Sequence, residues 1–313
     1  MEMKQLGGSS FQVSALGTGV WSWGARTIWG YGRDFGLSDV QEAFQASLDA
    51  GINLFDTAEI YAGGVSERML GDLVRETKAD VVVASKFAPF PWRVTTRSLH
   101  KALDATLARL GLDHVELYQV HFPYSVMRLE PMMQALADAV KAGKIGAVGV
   151  SNYGAAKMRR AHEALARRGV PLAANQVKYS LLDRRPEADG VLQTCRELNV
   201  TLIAHTPLAQ GLLTGKYRPG TLPRGIRRFR GDFRPRSLRK AMPVVAKVQE
   251  IAEARGKTPG QVALNWLLRQ DGVVPIPGAK TGQQARDNAG AAGWELTPDE
   301  VEALDQATSS RRR

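Results

Sequence analysis

The chain has 313 residues, 44% of them hydrophobic and 23% charged, a balance that excludes a disordered or fibrous protein. Its single cysteine, Cys195, excludes an internal disulfide and fits a reducing compartment, whereas the net charge of +11 requires an account of its own. No basic start leads into an apolar run and no apolar stretch reaches about 18 residues, so neither a secretory leader nor a membrane span is expected, and the expected location is the cytoplasm.

Met3 to Leu6 and Phe11 to Val13, around Gly7-Gly8-Ser9, read as a small hairpin. Ala15 to Gly19 reads as the first barrel strand, followed by a loop rich in tryptophan and glycine. From Ser38 the punctuation is regular. A helix starts at Ser38 and stops at Ala50-Gly51. Strand Ile52 to Phe55 precedes a helix from Ser66 to Arg75, and strand Val81 to Ser85 precedes one from Arg97 to Leu110, with leucines at helical spacing. Strand Val115 to Val120 leads to helix Pro131 to Ala142, strand Ile145 to Val150 to helix Ala155 to Arg168, and strand Ala173 to Val177 to helix Glu187 to Leu198. After strand Thr201 to His205 comes a long loop containing Gly, Pro and Arg. Helices Pro243 to Arg255 and Pro259 to Arg269, strand Val273 to Pro275, and helices Gln283 to Ala291 and Pro298 to Ala307 complete the pattern. Strand–helix alternation at this pitch implies a parallel sheet, and eight units fit a closed α/β barrel, a (β/α)8 TIM barrel. A hairpin precedes the barrel, extra C-terminal helices follow it, and the expectation is one domain over 1–313. The open, doubly wound alternative wants Gly-x-Gly-x-x-Gly, and Gly17-Thr18-Gly19-Val20-Trp21-Ser22 fails at the third glycine.

Much of the positive charge lies between Arg224 and Lys240, with more at Lys157 to Arg168 and in Arg311-Arg312-Arg313. Solvated surface, attraction of phosphate by the loop from Arg224, and recruitment of an acidic substrate are all compatible with it. Nucleic-acid binding is not expected, because only Phe229 and Phe233 interleave with the basic residues. The five histidines show no ligand spacing with cysteine or carboxylates, so no metal site is expected. No Gly-x-Ser-x-Gly elbow or Gly-Lys-Ser/Thr phosphate loop is present. Cys195 falls inside a helix with no activating neighbour and reads as packing.

Three successive strands end on reactive groups. Asp56, with Tyr61 five residues on, follows the first; Lys86 ends the second; His121 ends the third. In a parallel barrel these ends share one rim, so a carboxylate, a phenol, an ammonium and an imidazole converge there as a proton-transfer set. Trp21, Trp23, Trp29, Phe87, Trp92 and Phe122 also follow strand ends and suggest an aromatic-walled substrate pocket.

The ordered strings Leu16-Gly17-Thr18-Gly19-Val20-Trp21, Phe55-Asp56-Thr57-Ala58-Glu59-Ile60-Tyr61, Ala84-Ser85-Lys86, Gln119-Val120-His121, Gly149-Val150-Ser151-Asn152, Asn175-Gln176-Val177, Pro207 through Tyr217 and Ile276-Pro277-Gly278 resemble the aldo-keto reductases from end to end. The resemblance implies an NADPH-dependent reductase of a small-molecule aldehyde or ketone. Tyr61 is then the proton donor, Lys86 lowers its pKa, Asp56 holds Lys86, and His121 binds the substrate oxygen. Gly19, Val20, Trp21 and Asp56 fall to the cofactor. So do Ser151, Asn152 and Gln176, at the nicotinamide carboxamide. Pro207, Leu208, Gln210, Gly211 and Lys216 follow along the pyrophosphate, and Gly278, Lys280, Gln284, Asp287 and Asn288 lie at the adenosine end. Two departures stand out. His205 and Thr206 replace an aromatic residue and a serine beside the nicotinamide, and Gln284 stands where many relatives carry an arginine near the 2′-phosphate. Lys280 and an arginine of the Arg224 to Arg230 loop are the expected substitutes, which keeps NADPH ahead of NADH. The alternative is an NADPH-binding sensor with little turnover, similar to potassium-channel β subunits, although those usually lack the histidine at position 121. Neither the physiological substrate nor the oligomeric state is legible in the sequence.

Overall fold

A computed structural model describes residues 1–309; the basic run 311–313 lies outside the described residues. Strands β1 (Met3–Gln5) and β2 (Gln12–Ser14) pair antiparallel as the expected hairpin. Eight parallel strands follow. They are β3 (Thr18–Gly19), β4 (Leu54–Asp56), β5 (Val82–Phe87), β6 (Val115–Val120), β7 (Ile145–Ser151), β8 (Leu172–Lys178), β9 (Thr201–His205) and β10 (Val273–Ile276), paired in chain order. The amides of Gly17 and Gly19 donate to the carbonyls of Pro275 and Pro277, both at 3.0 Å, and close the ring into a barrel. Glycine suits this seam sterically, because a Cβ at position 17 would lie 3.0 Å from the side chains of Ile276 and Leu54.

Strand parity decides what fills the barrel. Side chains two apart share a face, and Leu54, Val82, Ala84, Leu117, Ala147, Ala174, Ile203 and Val274 pack into one interior cluster, closed below by Leu6 and Val13 of the hairpin region. Continuing the same parity toward the C-terminal ends replaces apolar residues by Asp56, Lys86, Gln119, Ser151 and Gln176, all buried. The interior is thus apolar at its base and polar at its top. The opposite parity, with Phe55, Val83, Tyr118, Val148 and Val150, packs on the surrounding helices in the larger core.

Helix ends differ from expectation where a local signal competes with packing. The helix expected at Ser38 spans Leu37–Asp49, with Gly36 before it and Asp39 reaching back to the Gly36 amide at 2.7 Å. The stretch expected as one helix from Glu187 to Leu198 breaks into Arg185–Ala188 and Val191–Glu197, because Gly190 adopts φ +75°. Conversely, Pro243 does not start its helix. That helix spans Pro235–Arg255 and tolerates the lost rung at Pro243 because Leu238, Ala241, Val244, Val245 and Val248 stay buried along it. Among the described residues no helix is long and apolar enough to cross a membrane.

Candidate active site

The polar top of the barrel opens into a cavity of about 910 Å³, a size suited to a large organic ligand. Part of its rim is backbone held in uncommon conformations. Asn152, Thr206 and Gln210, which line it, and Ala62 and Ala209 beside the lining residues Tyr61 and Leu208, all have positive φ, and all lie on loops that leave the C-terminal ends of strands. Such conformations cost about 1–3 kcal/mol each and persist only where surrounding structure enforces them, which marks the rim as a preorganised site.

At the cavity floor Lys86, fully buried, places Nζ 2.5 Å from Asp56 Oδ2, 2.8 Å from the Thr57 carbonyl and 3.4 Å from the Tyr61 hydroxyl. Asp56 Oδ1 accepts from Gln176 Nε2 at 2.7 Å and Gln119 Nε2 at 3.2 Å, so both carboxylate oxygens are occupied. The Tyr61 and His121 rings meet edge to face at 5.7 Å, and Trp21 lies 6.0 Å from Tyr61 on another side. Asp56, Tyr61 and His121 line the cavity, while Lys86 stands behind them. The four groups placed on one rim by strand counting therefore come together.

Their ionisation departs in one respect from expectation. Burial pushes the Tyr61 phenol above its ordinary 10; the Lys86 charge pulls it down and the Asp56 charge pushes it up, and the net direction is upward. The expectation that Lys86 leaves this pKa lowered is corrected here, because burial outweighs the ammonium. For Lys86, burial opposes the charge, but Asp56 and Tyr61 more than compensate and hold it above the ordinary lysine range. Burial, with Lys86 and His205 adding repulsion, drives His121 down to about 2, and burial with Lys86 and Lys178 takes His205 to about 3. Both imidazoles are neutral at physiological pH. His121 Nδ1 is buried without a partner.

The remaining rim residues form two groups. On one side Ser151 Oγ donates to the Gln176 carbonyl at 2.9 Å, Asn152 Nδ2 reaches Ser151 Oγ at 3.0 Å, and His205 Nδ1 lies 3.0 Å from Thr206 Oγ1. On the other side stand Pro207, Leu208, Gln210, Gly211 and Lys216, then Gly278, Lys280, Gln284, Asp287 and Asn288, every one of them on the cavity wall. Here positive charge is concentrated. Arg227 sits 4.3 Å above the Trp29 ring, Lys280 Nζ 5.1 Å from the same ring, and Lys216 beside Tyr217. Burial, then Arg227 and Lys216, lower the Lys280 pKa to about 8. Arg227 donates to the Gln210 carbonyl at 2.7 Å, yet its Nε is buried with no partner. Three crowded cations and an orphaned guanidinium nitrogen fit a phosphorylated ligand.

The aromatic residues divide. Trp21, Trp29 and Phe122 line the cavity. Trp23 does not: it is fully buried, with Nε1 donating to the Ala279 carbonyl at 2.8 Å. Phe87 is likewise buried, under Arg93, and Trp92 stacks on Phe90 with 72% of its surface exposed, outside the cavity. Val20 is buried beneath the rim rather than on it. Trp23, Phe87 and Trp92 were expected at the site on chain position alone, and Val20 by the family resemblance; neither says where a loop side chain points. Sequence reading also left undecided which arginine of the Arg224 to Arg230 loop faces inward. Arg227, which is buried, and Arg230, which is exposed, both line the cavity, three apart across a 3₁₀ turn (Gly225–Phe229), while Arg224 and Arg228 are exposed and outside it. Cys195 is buried against Met158, and burial raises its thiol to about 12, as suits a packing residue.

The family model described as Aldo/keto reductase family matches residues 15–309. The chain is 41% identical over 308 residues to the chloroplastic pyridoxal reductase of Arabidopsis thaliana, covering 94% of this chain and 83% of that one. It is 35% identical to a Schizosaccharomyces pombe aldo-keto reductase named for NADP(+), covering 85% and 83% respectively. A crystal structure of an aldo/keto reductase from Klebsiella pneumoniae, in complex with NADP and acetate, superposes with a TM-score of 0.78 at 29% identity, covering 98% and 95%.

Proposed function

The chain belongs to the aldo/keto reductase family and is an NADP-dependent oxidoreductase acting on carbonyls, and from that premise we propose that it reduces an aldehyde or ketone with Tyr61 as the proton donor. NADPH, when bound, supplies the hydride. Everything else falls to the chain's own residues. The observation that carries this reading is the contact of Lys86 Nζ with both Asp56 and Tyr61 at the floor of the cavity.

A phenol held above its ordinary pKa stays protonated at neutral pH and is ready to donate. The difficulty is the phenolate left behind, and Lys86 is placed to answer it. Its charge is kept by Asp56, and its Nζ sits 3.4 Å from the oxygen that becomes negative. The stabilisation therefore appears where charge develops, which is how a preorganised cation accelerates a step. His121, neutral, offers the carbonyl oxygen a hydrogen-bond donor without adding charge beside Lys86. Trp21, Trp29 and Phe122 form the apolar wall against which the carbonyl compound packs. Ser151, Asn152 and Gln176 are assigned to the nicotinamide amide. Lys216, Lys280 and Arg227 are assigned to the phosphates, and their combined charge favours NADPH over NADH. The substrate is a small molecule, and no role for nucleic acid or membrane is part of this reading.

The test is consumption of NADPH with 4-nitrobenzaldehyde, followed at 340 nm (the absorbance of the reduced nicotinamide), in the parent protein and in Tyr61→Phe. Loss of a general acid lowers kcat by roughly 10²- to 10⁴-fold. Normal turnover by Tyr61→Phe removes the role assigned to that residue.

A further inference from the structure

Resting on that reading, we propose that the substrate carries an anionic group, a carboxylate or phosphate, and that Arg230 receives it. The Arg230 guanidinium lies 5.6 Å above the Trp21 ring, and that ring lies 6.0 Å from Tyr61, so a single indole separates the cation from the proton donor. Arg230 is held in place there. With its amide turned to satisfy both groups, the Gln210 oxygen accepts from Arg230 Nε and Nη2 at 3.2 Å, while the Gln210 main-chain carbonyl holds Arg227. Gln210 itself is fixed with φ +60°, in the left-handed region. One residue thus aims two arginines into the cavity, Arg227 over Trp29 and Arg230 over Trp21.

Among the described residues no acid pairs with Arg230. Asp232, the only acid between Tyr217 and Lys240, pairs with Lys178 at 3.3 Å. Among the described residues Arg227 and Arg230 form no salt bridge, whereas Arg33, Arg93, Arg109 and Arg184 each do. The phosphates of the nucleotide have Lys216, Lys280 and Arg227 on the Trp29 side. Arg230 stacks instead on Trp21, the ring nearer Tyr61, although Trp21 and Trp29 themselves meet edge to face at 5.3 Å. A guanidinium fork suits a carboxylate or a phosphate monoester equally. The anion takes no part in bond making; it fixes the orientation of the carbonyl against Tyr61.

The test uses 4-carboxybenzaldehyde and its neutral analogue methyl 4-formylbenzoate, with the parent protein, Arg230→Met and Arg228→Met. Arg228 belongs to the same loop but lies outside the cavity, so its removal takes away the same long-range charge without touching the site. A charged hydrogen bond lost from a partly exposed site lowers the acid-to-ester ratio of kcat/KM roughly tenfold. That fall in Arg230→Met, with Arg228→Met retaining the parent ratio, supports the proposal. Equal falls in both variants mean general attraction by a basic protein and overturn it. So does an unchanged ratio in Arg230→Met accompanied by weaker NADPH binding, measured by calorimetry, because the arginine then belongs to the nucleotide. Calorimetric binding of 4-(hydroxymethyl)benzoate, the alcohol product, reads Arg230 independently of turnover: affinity falls roughly tenfold in Arg230→Met, and an unchanged affinity counts against the site. Absence of NADPH oxidation with either aldehyde is a failure of the proposed function instead, and leaves this binding measurement to decide the role of Arg230.

Discussion

Replacing Lys86 by methionine separates what the buried ion pair does for stability from what it does for chemistry. The pair is out of water, with Lys86 and Asp56 side chains 0% and 4% exposed and 2.5 Å apart. Removing one partner of such a pair leaves an uncompensated buried charge and costs about 3–5 kcal/mol. Asp56 retains Gln119 and Gln176 as donors, which places the loss toward the lower end. Adding Asp56→Asn removes the stranded charge, so the double variant regains most of what Lys86→Met loses, about 2–3 kcal/mol. Catalysis follows a different logic. At 3.4 Å and an effective dielectric near 20, Coulomb's law gives about 5 kcal/mol between ammonium and phenolate. Part of that survives relaxation of the site, and a loss of roughly a thousandfold in kcat is expected in both the single and the double variant. Urea unfolding gives the stabilities and NADPH oxidation the rates. A double variant no more stable than Lys86→Met would refute the stranded-charge argument. Recovery of its kcat would refute the assignment of the ammonium to the phenolate.

Arg227→Met removes a buried guanidinium with an orphaned Nε, so the nucleotide-free protein gains thermal stability while its calorimetric Kd for NADPH rises roughly tenfold or more; a lower Tm with unchanged Kd contradicts the phosphate role. Because His121 and His205 titrate near 2 and 3, kcat shows no inflection near pH 6.5 and declines only on the alkaline side, where the phenol ionises; a bell with an acid limb near 6 contradicts the neutral imidazoles. Stability carries the matching sign. Below 6.5 the unfolded chain binds the His121 and His205 protons and the fold does not, so each contributes a loss of stability of about 1.4 kcal/mol per unit as the pH is lowered. Glu67, raised by burial, acts oppositely at lower pH, so the comparison is the difference in slope between His121→Asn and the parent. Gly71→Ala brings a Cβ to 1.9 Å from the Leu110 carbonyl where helices Val65–Thr77 and Thr96–Leu110 cross, and costs about 2–3 kcal/mol in urea unfolding.

The period of two in the strands, and their spacing along the chain, determined by themselves that Asp56, Lys86 and His121 share one end of a barrel, because backbone geometry gives strand position a direction. Local chemistry at helix starts agrees with the helices at Pro259 and Pro298 that the sequence placed there: Thr258 with Gln261 and Thr297 with Glu300 form reciprocal caps at the N-terminal ends of Pro259–Leu268 and Pro298–Ala307. Loops carry no such period. Trp21 and Trp23 are two residues apart, yet one faces the cavity and the other is sealed against Ala279, and only the packing of distant segments decided which. The same holds for Arg227 and Arg230 against Arg224 and Arg228, chosen by a turn and by Gln210, which precedes Arg227 by 17 residues. The direction of the Tyr61 shift was also a tertiary matter. Naming Lys86 as its neighbour identifies one contribution, but desolvation sums over everything that excludes water from the phenol, and that sum exists only in the folded molecule.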